Sequence, residues 1–196
     1  DVGARTNLPE ISGREATGYI CSETLFGDKY PKQPYKSLII VGGGPIGCEF
    51  SHIFAATGTK VTVVQHNNRL LSKADEDISE QIRQNMEAFG IKTYLNANLL
   101  EAKKADDQKT LLFEDRETGE RIEVTGEEIM YATGIKPVSK ELKIENTSIE
   151  MDERGWIKTN EFLETSVNGI WAIGDINGQP AFRHKANYEA DILAHN

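Results

Sequence analysis

Apolar residues in the first two-thirds of the chain fall into runs of two kinds. Leu38-Ile39-Ile40-Val41, Val61-Thr62-Val63-Val64, Ile91 to Leu95 and Ile129-Met130-Tyr131-Ala132 are nearly continuous, the mark of strands covered on both faces. Between them Ile46, Phe50, Ile53 and Phe54, and later Ile78, Ile82, Met86 and Phe89, recur at helical spacing. Each set predicts one buried helix face. Strand, helix and strand in alternation predict a parallel sheet with crossover helices. The second helix has a start signal in Ser72 and Asp75, which form a potential capping box, and a stop in Gly90.

The pattern then changes. Leu99 to Lys104, Thr110 to Glu114 and Arg121 to Val124, with polar turns at Asp106-Asp107 and Thr118-Gly119 between them, predict an antiparallel meander. Such a meander replaces a crossover helix before a strand from Glu128 ends at Gly134. Residues 136 to 155 are a charged excursion. Short strands at Trp156-Ile157-Lys158-Thr159 and Gly169 to Asp175, and a helix from His184 to Asn196, complete the expectation. Residues 1 to 36 carry no clear start signal, and Pro31 and Pro34 punctuate the approach to the first strand.

The junction of the first strand and first helix carries the chemistry. Gly42-Gly43-Gly44-Pro45-Ile46-Gly47 has Gly-x-Gly-x-x-Gly spacing, and it sits where that spacing works: after a buried strand and at the opening of a helix. Gly42 permits the tight turn, Gly44 lets the main chain approach a pyrophosphate, and Gly47 lets the helix lie close to the sheet. Pro45 suits the first helical position, where its missing N–H has no partner to lose. The stretch from Ser37 to Gln65 therefore reads as the first βαβ unit of a dinucleotide-binding sheet.

Composition narrows the classes. The 196 residues carry a net charge of −9 and no basic run to neutralise phosphates, which excludes nucleic acid as an expected partner. No apolar run approaches the roughly 20 residues of a membrane span, and a soluble, cytoplasmic protein is expected. Cys21 and Cys48 form no Cys-x-x-Cys or longer-spaced local pair, and Cys48 is expected to be a small core residue. His52, His66, His184 and His195 show no metal-ligand spacing, so no metal site is expected.

Five motifs in order carry a resemblance: Gly3-Ala4-Arg5; Gly42-x-Gly44-x-x-Gly47-x-Glu49; Ala132-Thr133-Gly134; Thr165 to Ala172-Ile173-Gly174-Asp175; and His184-Lys185-Ala186 with Glu189. Together they resemble the flavin-dependent pyridine nucleotide-disulfide oxidoreductases, most of all the dihydrolipoamide dehydrogenase branch. The resemblance covers essentially the whole chain. It implies a Rossmann-like α/β NAD(P)-binding domain, a parallel sheet with an antiparallel meander crossover, at residues 15–142. Pieces of an FAD-binding domain would flank it at residues 1–14 and 143–196. Contacts to NAD(P) are implied for Gly42, Gly43, Gly44, Pro45, Ile46, Gly47, Glu49, Gln65, His66, Arg69, Leu99, Thr133 and Gly134. Contacts to FAD are implied for Gly3, Ala4, Gly174, Asp175, Ala181, Phe182, Arg183 and His184. In this picture Asp175 bonds a ribityl hydroxyl, and Glu49 helps hold the nicotinamide or pairs with a lysine of the FAD domain.

Two departures stand out. Gln65 ends the second strand where NAD-using relatives carry an acid for the ribose hydroxyls, which leaves NAD or NADP open, with His66 and Arg69 as sources of positive charge. On that reading Gln65→Glu should favour NADH. Val2 stands where the family has threonine. The family's redox cysteine pair and its histidine and glutamate acid–base pair have no counterpart here, so no catalytic residue is assigned. The piece is expected to be a central fragment that binds nucleotide and catalyses nothing, from a homodimer formed through an absent C-terminal domain. A transhydrogenase or NADH oxidase of the same architecture, and a non-catalytic nucleotide-binding module, stay open as alternatives.

Overall fold

Leu38 and Ile40 point to one face of a sheet and Ile39 and Val41 to the other, and all four are at most 2% exposed. That two-sided burial is why the run is apolar throughout rather than alternating. Each such side chain contributes about 1.5–3 kcal/mol of transfer free energy. The structure, a computed structural model, describes residues 3–27, 29–178 and 180–195; the departure at Val2 lies outside them.

The elements are β1 (Ala4–Thr6), α1 (Arg14–Thr17), β2 (Ile20–Cys21), α2 (Ser22–Leu25), β3 (Ser37–Val41), α3 (Pro45–Ala56), β4 (Lys60–Val64) and α4 (Glu76–Ala88). They continue with β5 (Lys92–Tyr94), β6 (Ala97–Ala105), β7 (Gln108–Asp115), β8 (Arg121–Gly126), β9 (Glu128–Tyr131), β10 (Ile135–Pro137) and α5 (Arg183–His195). The chain divides into two compact units, one formed by Thr6–Gly134 and the other by Asp1–Arg5 with Ile135–Asn196.

In the Thr6–Gly134 unit a five-stranded sheet runs in the order β2-β9-β3-β4-β5, and its strand pairs are parallel. One face packs on α3 and α4 through Leu38, Ile40, Phe54, Val61, Val63 and Met86. The other face, through Ile39, Val41, Val64 and Tyr131, packs against the antiparallel meander β6-β7-β8 and its Leu111 and Phe113. The strand β2 is too short to show in the sequence pattern. A buried ion pair fastens the segment before it: Lys109 Nζ, on β7, pairs with Glu128 and also donates to Gly18 O at 3.1 Å.

Several expectations need correction. Ile46, Phe50 and Phe54 of α3 pack on the core as expected, with Gly47 and Ser51 buried beside them, but Ile53 is 53% exposed. On α4, Ile82 and Met86 pack on the core and Ser79 is buried, whereas Ile78 and the C-cap residue Phe89 are each 50% exposed. Each residue advances about 100° round a helix, and small residues let α3 sit closer to the sheet than its bulky ones would. Asp75 is the N-cap of α4, with no side-chain capping bond. Ser72 is engaged elsewhere, its Oγ accepting from Asn67 Nδ2 at 3.0 Å.

In the other unit β1 and β10 form a two-stranded ribbon, and Val138, Ile144, Ile157, Ala172 and Ile176 make a small core. The strands expected at 156–159 and 169–175 are not formed among the described residues. Ile157 bridges Met151 and Trp171 bridges Glu164, each as a single pair, and Gly174–Asn177 is a 3₁₀ turn. The backbone at Ile173 is extended, at φ −125 and ψ 162, but a ladder needs a neighbouring strand along its length.

Candidate nucleotide and flavin sites

The glycine turn joins β3 to α3 at the carboxyl edge of the sheet. Gly42 has φ +109, and a Cβ there would stand 2.4 Å from Ala132 O, so glycine is required on both counts. A Cβ on Gly47 would lie 1.9 Å from Gly42 O. The third motif glycine differs in kind. Gly44 has ordinary extended φ and ψ of −77 and −174, and a Cβ on it would meet no atom within 4 Å.

Gly44 is also the N-cap of α3, and Pro45 takes the first helical position. The first intrahelical bond runs from Cys48 N–H to Gly44 O at 3.0 Å, so the N–H groups of Ile46 and Gly47 precede it and point from the helix start. The turn thus offers main-chain donors, the positive end of a twelve-residue helix and free space where a side chain would be. Such helix starts favour an anion.

Gly43 has a structural job. Its N–H donates to Gln65 Oε1 at 2.8 Å, its carbonyl accepts from Leu71 N–H at 2.8 Å, and a Cβ on it would fall 2.5 Å from Leu70 Cδ2. Gln65 is 7% exposed, and its Nε2 donates to Arg69 O at 3.2 Å. The side chain expected to face a ribose is therefore turned inward, with both ends of its amide held by main chain.

His66 is exposed, with Nδ1 3.2 Å from Ala97 O. Arg69 pairs with Glu76 at 3.0 Å and donates to Ser72 O at 3.0 Å. Beside them lies an open hollow of about 670 Å³ of mixed charge, lined by Asn67, Arg69, Glu76, Asn96, Arg116 and Glu117. The pattern of residues did not point to Arg116. It reaches in from the β7–β8 turn, donating to His66 O at 2.5 Å and to Asn96 O at 3.4 Å, and such a tertiary approach leaves no local signal.

Leu99 is half-buried against the meander-side core, at a register shift in the β6–β7 ladder between Leu99 and Glu101. Thr133 Oγ1 donates to Asn7 O at 2.5 Å, and Asn7 N–H returns a bond to Gly134 O at 2.9 Å. Glu49 is exposed near the start of α3. Neighbouring Cys48 packs against the core as expected. Burial, and then the Glu49 carboxylate, push its thiol up to about 11. Cys21 is buried in β2, with Sγ 3.6 Å from Thr24 Oγ1.

The second unit assembles the other motif residues. A Cβ on Gly3 would lie 3.9 Å from Asp175 Cβ, so these two positions, 172 residues apart in sequence, are neighbours; Ala4 follows in β1. Asp175 is half-exposed in the 3₁₀ turn opened by Gly174, whose φ is +74. Glu189, 5% exposed on α5, clamps this turn: Oε2 accepts Gly174 N–H at 2.7 Å and Oε1 accepts Asn177 Nδ2 at 2.9 Å. Lys185 Nζ lies 2.7 Å from Glu189 and donates to Asn177 Oδ1 at 2.6 Å. Ala181, Phe182, Arg183 and His184 are exposed at the start of α5. Among the described residues no helix is long and apolar enough to cross a membrane, and no cluster of His, Cys, Asp or Glu has the makings of a metal site.

A family model described as pyridine nucleotide-disulphide oxidoreductase matches residues 2–190. The chain belongs to that family. Among its relatives is a dihydrolipoyl dehydrogenase of Acholeplasma laidlawii, 38% identical over 192 residues, covering 95% of this chain and 53% of the relative. A mercuric reductase of Staphylococcus aureus is 30% identical over 194 residues, covering 99% of this chain and 35% of the relative. The solved HOCl-induced flavoprotein disulfide reductase RclA of Escherichia coli superposes with a TM-score of 0.87 at 29% identity, over 98% of this chain and 42% of that one. The chain thus spans between about a third and about half the length of these family members.

Proposed function

We propose that this chain forms the NAD(P)(H)-binding part of a flavin-dependent oxidoreductase of dihydrolipoamide dehydrogenase type, which passes a hydride between the nicotinamide and FAD and on to a dithiol or disulfide. Residues 15–142 act as the nucleotide domain in this reading, and residues 1–14 and 143–196 belong to the FAD side. Its relatives include both dihydrolipoyl dehydrogenases and mercuric reductases, so the proposal rests on the flavin step that the architecture serves rather than on one final acceptor.

The observation that carries it is the clear space above Gly44 at the start of α3. The N–H groups of Ile46 and Gly47 and the helix dipole favour the pyrophosphate there, by about 0.3–1 kcal/mol if exposed and up to ~2 if partly buried. Arg69 and Arg116, with the acids Glu76 and Glu117, border the hollow beside the loop after β4, which the reading gives to the ribose end of the coenzyme. On the FAD side, Asp175 lies in a turn that Glu189 holds and is an acceptor suited to a flavin hydroxyl, with Gly3 beside it. Bound nicotinamide and flavin supply the redox chemistry; the chain binds and orients them. The parent enzyme would be a cytoplasmic homodimer.

The test uses the full-length protein loaded with FAD. Anaerobic addition of NADH or NADPH should bleach the oxidised flavin, and Gly44→Ala should keep the flavin but need about tenfold or more coenzyme for the same bleaching. A protein that takes up no flavin, or one whose flavin stays oxidised with both coenzymes, overturns the proposal.

A further inference from the structure

Gln65 follows β4 at the carboxyl edge of the sheet, and its main chain is fixed there. Its N–H donates to Tyr94 O at 2.8 Å, and its carbonyl accepts from Ala97 N–H at 3.0 Å. From this anchored position the side chain reaches back across the glycine turn. Oε1 takes the Gly43 N–H at 2.8 Å, and Nε2 gives a hydrogen bond to Arg69 O at 3.2 Å. The other side of the Gly43 peptide is held as well, because its carbonyl accepts Leu71 N–H at 2.8 Å. Leu71 sits at φ +44, a backbone region that leucine rarely adopts, and Leu70 beside it is 1% exposed over Gly43. A strained residue persists where its surroundings over-determine it. Here Leu71 N–H is held by the Gly43 carbonyl, and Leu71 O by Ala74 N–H and Ser79 Oγ.

The bridge needs an acceptor at one end and a donor at the other. A neutral amide has both. A carboxylate of the same length can accept from Gly43 but meets the Arg69 carbonyl with lone pairs, and at 7% exposure it would also be a desolvated charge. Glutamine is therefore matched to this geometry rather than being an acid that lost its charge.

We infer that Gln65 is a positioning residue: it ties the phosphate-cradling glycine turn to the loop that carries His66 and Arg69, and so presets the ribose hollow without touching the coenzyme. This inference rests on the nucleotide-binding reading above. Arg69 meets the hollow from this loop, and Arg116 completes the wall by gripping His66 O, so both cations depend on where the loop is held. The consequence is a particular kind of defect. A residue that contacts the ribose changes the ratio of NADH to NADPH affinity, whereas a brace changes both affinities together.

The experiment measures dissociation constants for NADH and NADPH, and amide hydrogen exchange, in the unmodified protein, Gln65→Met and Gln65→Glu. In the unmodified protein the Gly43 and Leu71 amides should exchange slowly. In Gln65→Met both should exchange faster, in Gln65→Glu at least the Leu71 amide beside the repelled Arg69 carbonyl should, and in both variants both coenzymes should weaken by about tenfold, with their ratio held within about twofold. A Gly43 amide that exchanges freely in the unmodified protein overturns the inference, even if neither variant folds. So does a Gln65→Glu protein whose NADH preference rises while loop exchange is unchanged. If the unmodified protein binds neither coenzyme, the nucleotide reading fails, and the exchange data still decide whether the bridge exists.

Discussion

Gly47 lies so close to Gly42 that a Cβ added to it would stand 1.9 Å from the Gly42 carbonyl oxygen, whereas the same atom added to Gly44 would touch nothing within 4 Å. One motif thus contains a glycine demanded by packing and a glycine demanded by nothing in the protein itself. On the proposed reading, the space at Gly44 is where the coenzyme pyrophosphate sits.

That contrast predicts opposite outcomes for two alanines. Gly47→Ala must push α3 from the sheet and should cost about 1–3 kcal/mol of stability. Gly44→Ala should cost less than about 1 kcal/mol, the loss of a modest N-cap, yet weaken nicotinamide nucleotide binding by about tenfold or more. Urea denaturation paired with nucleotide titration of each variant checks both halves.

The buried Lys109–Glu128 pair sets a second expectation. Removing the ammonium in Lys109→Met strands the Glu128 carboxylate and frees the Gly18 carbonyl that Lys109 also serves. The loss should be about 3–5 kcal/mol, the usual effect of breaking one half of a buried pair. Replacing Glu128 with glutamine in the same chain should recover much of it. Denaturant midpoints of the single and double variants, read as a cycle, give the coupling.

Glu189 makes the Asp175 turn sensitive to acid. Burial alone would raise its carboxyl pKa, but hydrogen bonds from Lys185, the Gly174 N–H and Asn177 overcome this and hold it below the usual glutamate value of 4.5. A carboxyl depressed in the folded state stabilises it above the unfolded-state pKa, and that contribution drains away as pH falls through the folded value. The unmodified protein should therefore be more stable than Glu189→Gln at neutral pH. The gap should narrow steadily below about pH 4.5. Urea midpoints at descending pH test the sign directly.

What the sequence made legible is what local rules control. Pro45 at the first helical position and the glycine spacing after an apolar run located the turn, and all four long apolar runs became strands. Periodicity found Ile46, Phe50, Phe54, Ile82 and Met86, which pack on the core, but Ile53, Ile78 and Phe89 match the same repeat and stay exposed, while Gly47, Ser51 and Ser79, which carry no apolar signal, are buried. Trp156 to Thr159 and Gly169 to Asp175 have strand composition without a strand alongside, and pairing is a tertiary property. The inward turn of Gln65 and the approach of Arg116 were equally invisible, since both depend on contacts between segments far apart in the chain.

The central claim is that the space at Gly44 receives a coenzyme pyrophosphate. Isothermal titration of this chain with NADH and with NADPH tests it most directly. The account predicts saturable one-to-one binding of at least one of them, abolished or strongly weakened in a folded Gly44→Ala variant. Flat titrations of the folded, unmodified protein with both coenzymes, or undiminished binding by Gly44→Ala, would contradict it.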